Sequence, residues 1–176
     1  MTQQDNRAGA SFNEDPFVKA LMQVSGPGAD PRLVLMVAHG LIELMINTLV
    51  DHYCRHANRI NDDNRTYPHS VKLVILHEKG ILYDQLFDIL DRFRKLRNEA
   101  AHQPFFSVDT NRLRSIADPM ENALRNAQMT SYPSDTLDGF CRFIMQSLFT
   151  QFQGVLMAKF TPTLYKHMVQ ENTDNG

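Results

Sequence analysis

The sequence predicts an all-α fold: one domain built as an antiparallel bundle of about five to seven helices with short connections. Two observations carry that expectation. Apolar residues recur at intervals of three and four along most of the chain, and no segment alternates apolar and polar residues between hairpin turns. At 176 residues the chain is long enough to bury a core without disulfides or metals.

The elements follow in order. Residues 1–13 are polar and are expected to be a disordered leader, with the bundle at 14–168 and a flexible tail at 169–176. Asp15-Pro16, Asp30-Pro31 and Asp118-Pro119 are expected helix starts. The Asp carboxylate accepts free first-turn amides, and proline at the first helical position gives up no bond. Ser25-Gly26-Pro27-Gly28 separates the first two starts. The longest helix is expected over 31–58, with Val34, Val37, Leu41, Leu44, Met45, Thr48 and Leu49 on one face. Met36, Ile46 and Val50 make a second apolar face, as in a central bundle helix. Asn61 to Pro68 reads as a loop. A helix over 70–79 is stopped by Gly80, and another over 82–102 by Pro104. One or two helices fall between Asp109 and Met129. Ser134 is the expected cap of the last, whose stripe runs Leu137, Phe140, Cys141, Ile144, Leu148, Phe152, Val155 and Leu156. Phe143, Met145 and Phe149 lie off that stripe, where core packing or a dimer seam would use them.

Composition narrows the function classes. The net charge of -2 argues against a dedicated DNA-binding domain. Cys54 and Cys141 form no CxxC and pair with no spaced histidines, so neither a disulfide scaffold nor a zinc site is expected. From the polar start no secretory signal is expected, and no run of about 18 apolar residues suggests a membrane span. The cytoplasm is the expected compartment. No Gly-rich phosphate loop occurs.

The candidate site lies near the end of the 82–102 helix. Continuing the stripe Leu86, Leu90, Phe93 by one turn reaches Arg97. Arg94, Asn98 and His102 follow one another at four-residue spacing. Arg92, Arg94, Lys95 and Arg97 concentrate positive charge in an otherwise acidic chain. Two readings of this spot are open. In the structural one, Arg97 is buried in an ion pair with Glu43 of the long helix, and Ala100 and Ala101 serve close packing. In the chemical one, Arg97 holds a phosphate, His102 transfers a proton, Asn98 orients them, and Arg94 and Lys95 add phosphate contacts. Such a site cleaves RNA without metal, because the ribose 2′-OH is the nucleophile.

The segment Arg97-Asn98-Glu99-Ala100-Ala101-His102 resembles the Arg-x4–6-His motif of the HEPN superfamily of helical bundles. More of the chain is similar to the mannitol operon repressor family. Ser70, Lys72-Leu73, Gly80-Ile81, Asp84, Leu86, Ile89 and Arg97-Asn98-x-x-Ala101-His102 match in order, with Glu43 as the expected acidic residue. The likeness covers residues 31 to 158 by helix order. It implies a regulatory protein that acts through protein contacts, without a DNA-reading motif of its own. The HEPN likeness implies a metal-independent endoribonuclease with Arg97 and His102 as catalytic pair and Asn98 as auxiliary, across a dimer. A third reading is a non-catalytic ligand-binding domain. The expected partners are a second copy of the chain and a regulatory protein, with RNA as a further candidate; neither DNA nor a membrane is expected.

A polar line buried in the bundle is the commoner reading of the α-helical spacing His39, Glu43, Asn47, with metal ligation as the lesser one. His39, Glu43 and Asn47 share one helix face, but no third ligand is evident, so neither metal nor cofactor is expected. His52 and His56 read as a solvated face, and His69 and His77 have no obvious partner.

Overall fold

Asp30 caps the central helix, its carboxylate accepting from the Arg32 amide at 2.9 Å, with Pro31 at the first helical position. In the computed structural model, which describes residues 20–126 and 135–173, six helices follow one another. They are α1 (Pro31–Tyr53), α2 (Ala57–Asp62), α3 (His69–Glu78), α4 (Asp84–His102), α5 (Thr110–Asn126) and α6 (Leu137–Thr173). Residues 20–22 end a preceding helical turn and put Leu21 in the core. No strand occurs among the described residues, and the protein is an all-α bundle. The expected leader at 1–13, the start at Asp15-Pro16 and the cap at Ser134 lie outside the described residues.

The hydrophobic effect makes α1 the centre. It packs against α6, α4, α2 and α3. Val34, Leu35, Ala38, Ile42, Met45, Ile46, Leu49 and Val50 are buried on more than one face, each large aliphatic side chain contributing about 1.5–3 kcal/mol of burial. Leu44, placed on the buried stripe by periodicity, is exposed instead. By length and apolarity α1 alone among the described helices could cross a bilayer, yet its most apolar stretch is more than half buried in the bundle. The helix stops at Tyr53, short of the expected 58, and Ala57–Asp62 forms the separate α2.

α3 ends at Glu78, and Gly80, just past its cap, takes a φ of 70°, the left-handed conformation glycine adopts without a Cβ penalty. The expected start at Asp118-Pro119 is corrected: Pro119 lies inside α5, which begins eight residues earlier than Asp118. Asp109 accepts from the Arg112 amide at 2.9 Å and caps the helix there. Leu113, Ile116, Ala117 and Met120 carry its buried stripe past the exposed Pro119.

α6 kinks at Phe152, with φ -116° and ψ 22°, and continues to Thr173, through part of the expected tail. Thr136 accepts from the Gly139 amide at 3.0 Å at its start. Phe143 and Met145, weighed above for a dimer seam, are fully buried within this chain. Cys141 is buried and Cys54 half-buried, both free thiols.

Candidate functional site: a cleft between α1, α3 and α4

Along α1, His39, Glu43, Asn47 and Asp51 recur every four residues and form a polar line on a mostly apolar helix. The line meets α3 and α4, and its members have different fates. Asn47 accepts from Lys72 Nζ at 2.9 Å, and Asn64 accepts from the same ammonium at 2.9 Å. Lys72 is 0% exposed, among the largest fully buried side chains described. Burial pulls its pKa down, and the charges of Glu43 and Asp51 oppose that shift.

Toward the start of α1 the line opens into a cleft of about 300 Å³. α1 supplies His39 and Glu43. The loop before α3 supplies Asn64 and Pro68, and the first turn of α3 supplies His69 and Ser70. α4 supplies Arg94, Arg97 and Asn98. The rings of His39 and His69 lie 4.8 Å apart, and His39 stacks on Phe93 at 6.3 Å. His39 is 4% and His69 8% exposed. Burial first, then the charges of Arg97 and Arg94, lower the pKa of His39 to about 4. Burial first, then His39, Arg94, Lys72 and Arg97, lower that of His69 to about 3. Both imidazoles are therefore neutral at pH 7.

α4 buries Leu86, Ile89, Leu90, Phe93, Leu96 and Ala100. The stripe passes through Leu96 and Ala100 rather than Arg97, so Arg97 stands on its rim, half-buried. The expected ion pair between Glu43 and Arg97 is corrected. Both line the cleft, but no salt bridge within 4.0 Å joins them. Glu43 approaches His39 Nδ1 at 3.9 Å, too long for a hydrogen bond. Among the described residues Arg97 donates only to the Asn98 side chain, at 3.0 Å, and its Nε is buried without a partner.

The basic cluster is otherwise compensated. Arg92 pairs with Asp88 at 2.8 Å, and Arg94 and Lys95 both pair with Asp91 at 2.7 Å. Of the two suggested phosphate ligands, Arg94 faces the cleft while Lys95 is exposed outside it. Among the described residues, Arg97 alone of the four cations from Arg92 to Arg97 has no carboxylate within 4.0 Å.

His102 is exposed at the last position of α4 and does not line the cleft. The structure thus gathers Arg97 and Asn98 with Arg94 and leaves His102 apart. Ala100 is buried as close packing requires, while Ala101 is exposed. In place of His102, the cleft contains His39 and His69. In the sequence His39 reads as part of a polar line buried in the bundle, with metal ligation as the lesser reading, and His69 has no obvious partner. The one local signal for His69 was its place after Pro68, at a helix start. No group of three His, Cys, Asp or Glu side chains able to hold a metal occurs among the described residues. His52 and His56 are exposed, and His77 pairs with Asp84 at 2.9 Å.

Beyond α4 the chain is pinned. The Arg32 guanidinium donates to the carbonyls of both Gln103 and Pro104. Arg112 grips Glu99 through both carboxylate oxygens at 2.7 Å. Between these anchors Phe106 is buried, and Phe105 is 96% exposed.

Comparison of the chain with protein-family models, with curated proteins and with solved structures finds no match.

Proposed function

We propose that the protein is a regulatory interaction module of the mannitol-operon-repressor type, which works by docking a protein partner and has no DNA-reading element of its own. The observation that carries this is Phe105. A phenylalanine almost fully in water loses the burial energy of an aromatic ring, and here the backbone of the preceding residues is clamped by Arg32. An exposed aromatic ring beside an anchored stretch of backbone is the kind of anchor that carries binding energy in protein interfaces. The order of Lys72, Gly80, Asp84 and Arg97-Asn98-x-x-Ala101-His102 supports the same reading through the family resemblance.

The alternative, a metal-independent endoribonuclease acting across a dimer, has one observation in its favour. Arg97 carries an uncompensated charge beside Asn98 at an open cleft. It requires the exposed His102 of another copy, because within one chain His102 does not join that cleft.

Two measurements separate these readings. Affinity capture from cells that naturally express the protein compares wild type with a folded Phe105→Asp variant. A regulatory protein retained by wild type and lost by the variant is the expected result, and equal capture by both removes Phe105 as the anchor. Cleavage of labelled RNA in EDTA by wild type but not by His102→Ala would overturn the reading in favour of the nuclease.

A further inference from the structure

Buried polar atoms in folded proteins find hydrogen-bond partners, and the exceptions call for an explanation. Six buried side-chain nitrogen or oxygen atoms lack one among the described residues. Three of the six, His39 Nε2, His69 Nδ1 and Arg97 Nε, belong to residues that line the same cleft. They come from three different helices, so no single local distortion accounts for them.

All three orphans are nitrogens. Arg97 Nε–H can only donate, and either imidazole nitrogen can carry a proton. An acceptor with several lone pairs would satisfy all three, with each neutral imidazole in the tautomer that puts its proton on the orphaned nitrogen. The first turn of α3 adds to the demand. Pro68 offers no capping side chain, the amides of His69 and Ser70 donate to no described acceptor, and the Ser70 hydroxyl is likewise unbonded. A helix start with free amides attracts negative charge. The nearby cation, Arg97, has no carboxylate of its own.

We propose that this cleft binds the phosphate group of a small monophosphate ester. A tetrahedral phosphate offers acceptors in several directions at once, which suits donors arriving from three helices. Arg97 would supply the permanent charge, and His39, His69, Ser70 and the α3 amides the neutral donors. Glu43 sets the limit on charge. Its carboxylate lines the same cleft, repelling a second phosphate while offering an acceptor to a hydroxyl on the ester. A volume of about 300 Å³ is at the small end for ligand pockets, which favours a small molecule over a polymer. This inference goes beyond the partner-docking reading and does not rest on it, since it concerns the purified chain alone.

The test is calorimetric titration of the purified protein with glycerol 3-phosphate, with glycerol, pyrophosphate and a short single-stranded RNA as comparisons. Saturable binding of the monophosphate with a Kd at or below about 1 mM is expected, with none for glycerol. Arg97→Gln should weaken it by about tenfold or more, since a charge-assisted hydrogen bond is removed. Should that variant fail to fold by circular dichroism, Ser70→Ala and His69→Asn carry the same comparison, each expected to weaken binding by several-fold. Absence of monophosphate binding up to tens of millimolar overturns the proposal. So does undiminished affinity in the folded variants, which places the ligand elsewhere. Tighter binding of pyrophosphate or of the RNA overturns the assignment to a small monophosphate. A negative result here leaves capture through Phe105 unaffected, so the two readings fail separately.

Discussion

Two groups of buried polar side chains sit side by side along α1, and they are built differently. Around Lys72 two donor–acceptor contacts are made: its ammonium gives one hydrogen bond to Asn47 and one to Asn64, both at 2.9 Å. Two turns of α1 away, from Asn47 back to His39, the group of His39, His69 and Arg97 leaves three buried nitrogens unpaired among the described residues. A buried group with partners rigidifies the fold, while one without them costs desolvation energy that only a missing partner returns. The difference separates polar atoms that hold the bundle together from polar atoms that wait for something else. Mutation and pH should divide the two groups.

Acid should have the largest effect. The folded values of about 4 for His39 and about 3 for His69 lie below the ordinary 6.5, so the unfolded chain takes up these protons first. The stability the neutral rings contribute is complete above pH 6.5, and falls as pH drops toward about 4 and then about 3. The combined loss by pH 4 is on the order of several kcal/mol. Urea denaturation at pH 7 and pH 4.5 measures it. A His39→Gln/His69→Gln double variant should show a clearly shallower fall, and an unchanged slope would assign the acid sensitivity to other groups.

Lys72→Ala comes next. It removes the ammonium from both amide oxygens and leaves a cavity where a large, fully buried side chain stood. The expected cost is about 3 kcal/mol, a fall in Tm of roughly 6–12 °C for a chain of this size. Arg97→Ala should cost far less, within about 1 kcal/mol, because it breaks one hydrogen bond, to the adjacent Asn98. Had the Glu43–Arg97 pair been formed, the same change would strand a half-buried carboxylate. Equal melting losses for the two variants would erase the distinction between the groups.

The fold was largely legible in the sequence because helical periodicity is local. α1, α3, α4 and α6 announce themselves by apolar spacing, and Asp30 and Gly80 mark boundaries through the backbone groups they satisfy. Pro119 misled for a physical reason: a residue that usually opens a helix is tolerated inside α5 on its exposed side, once Asp109 has capped the true start. At the candidate site, Arg97, Asn98 and Arg94 were readable from their spacing on one helix. His69 and Ser70 were not, because their nearness to Arg97 depends on how α3 docks against α4, which no local pattern encodes. Glu43 was located correctly as the acidic residue near Arg97, but spacing could not say that its closest basic neighbour would be His39. His102 shows the converse error, since sequence adjacency to Arg97 did not bring it into the same cleft.

Ser70→Ala should give the smallest change in stability and the sharpest contrast. Its hydroxyl makes no hydrogen bond among the described residues, so deleting it removes no interaction from the folded chain. A change within about 0.5 kcal/mol is expected. Asn47→Ala is the matched comparison, also deleting a small polar group from the α1–α3 boundary. That change takes one of two partners from a fully buried ammonium and should cost about 1–3 kcal/mol. Thermal melts of the two variants side by side test whether hydrogen-bond satisfaction, rather than burial or polarity, divides the two groups. If Ser70→Ala were as costly as Asn47→Ala, the Ser70 hydroxyl would have an internal structural role, and the cleft would lose one of its free donors.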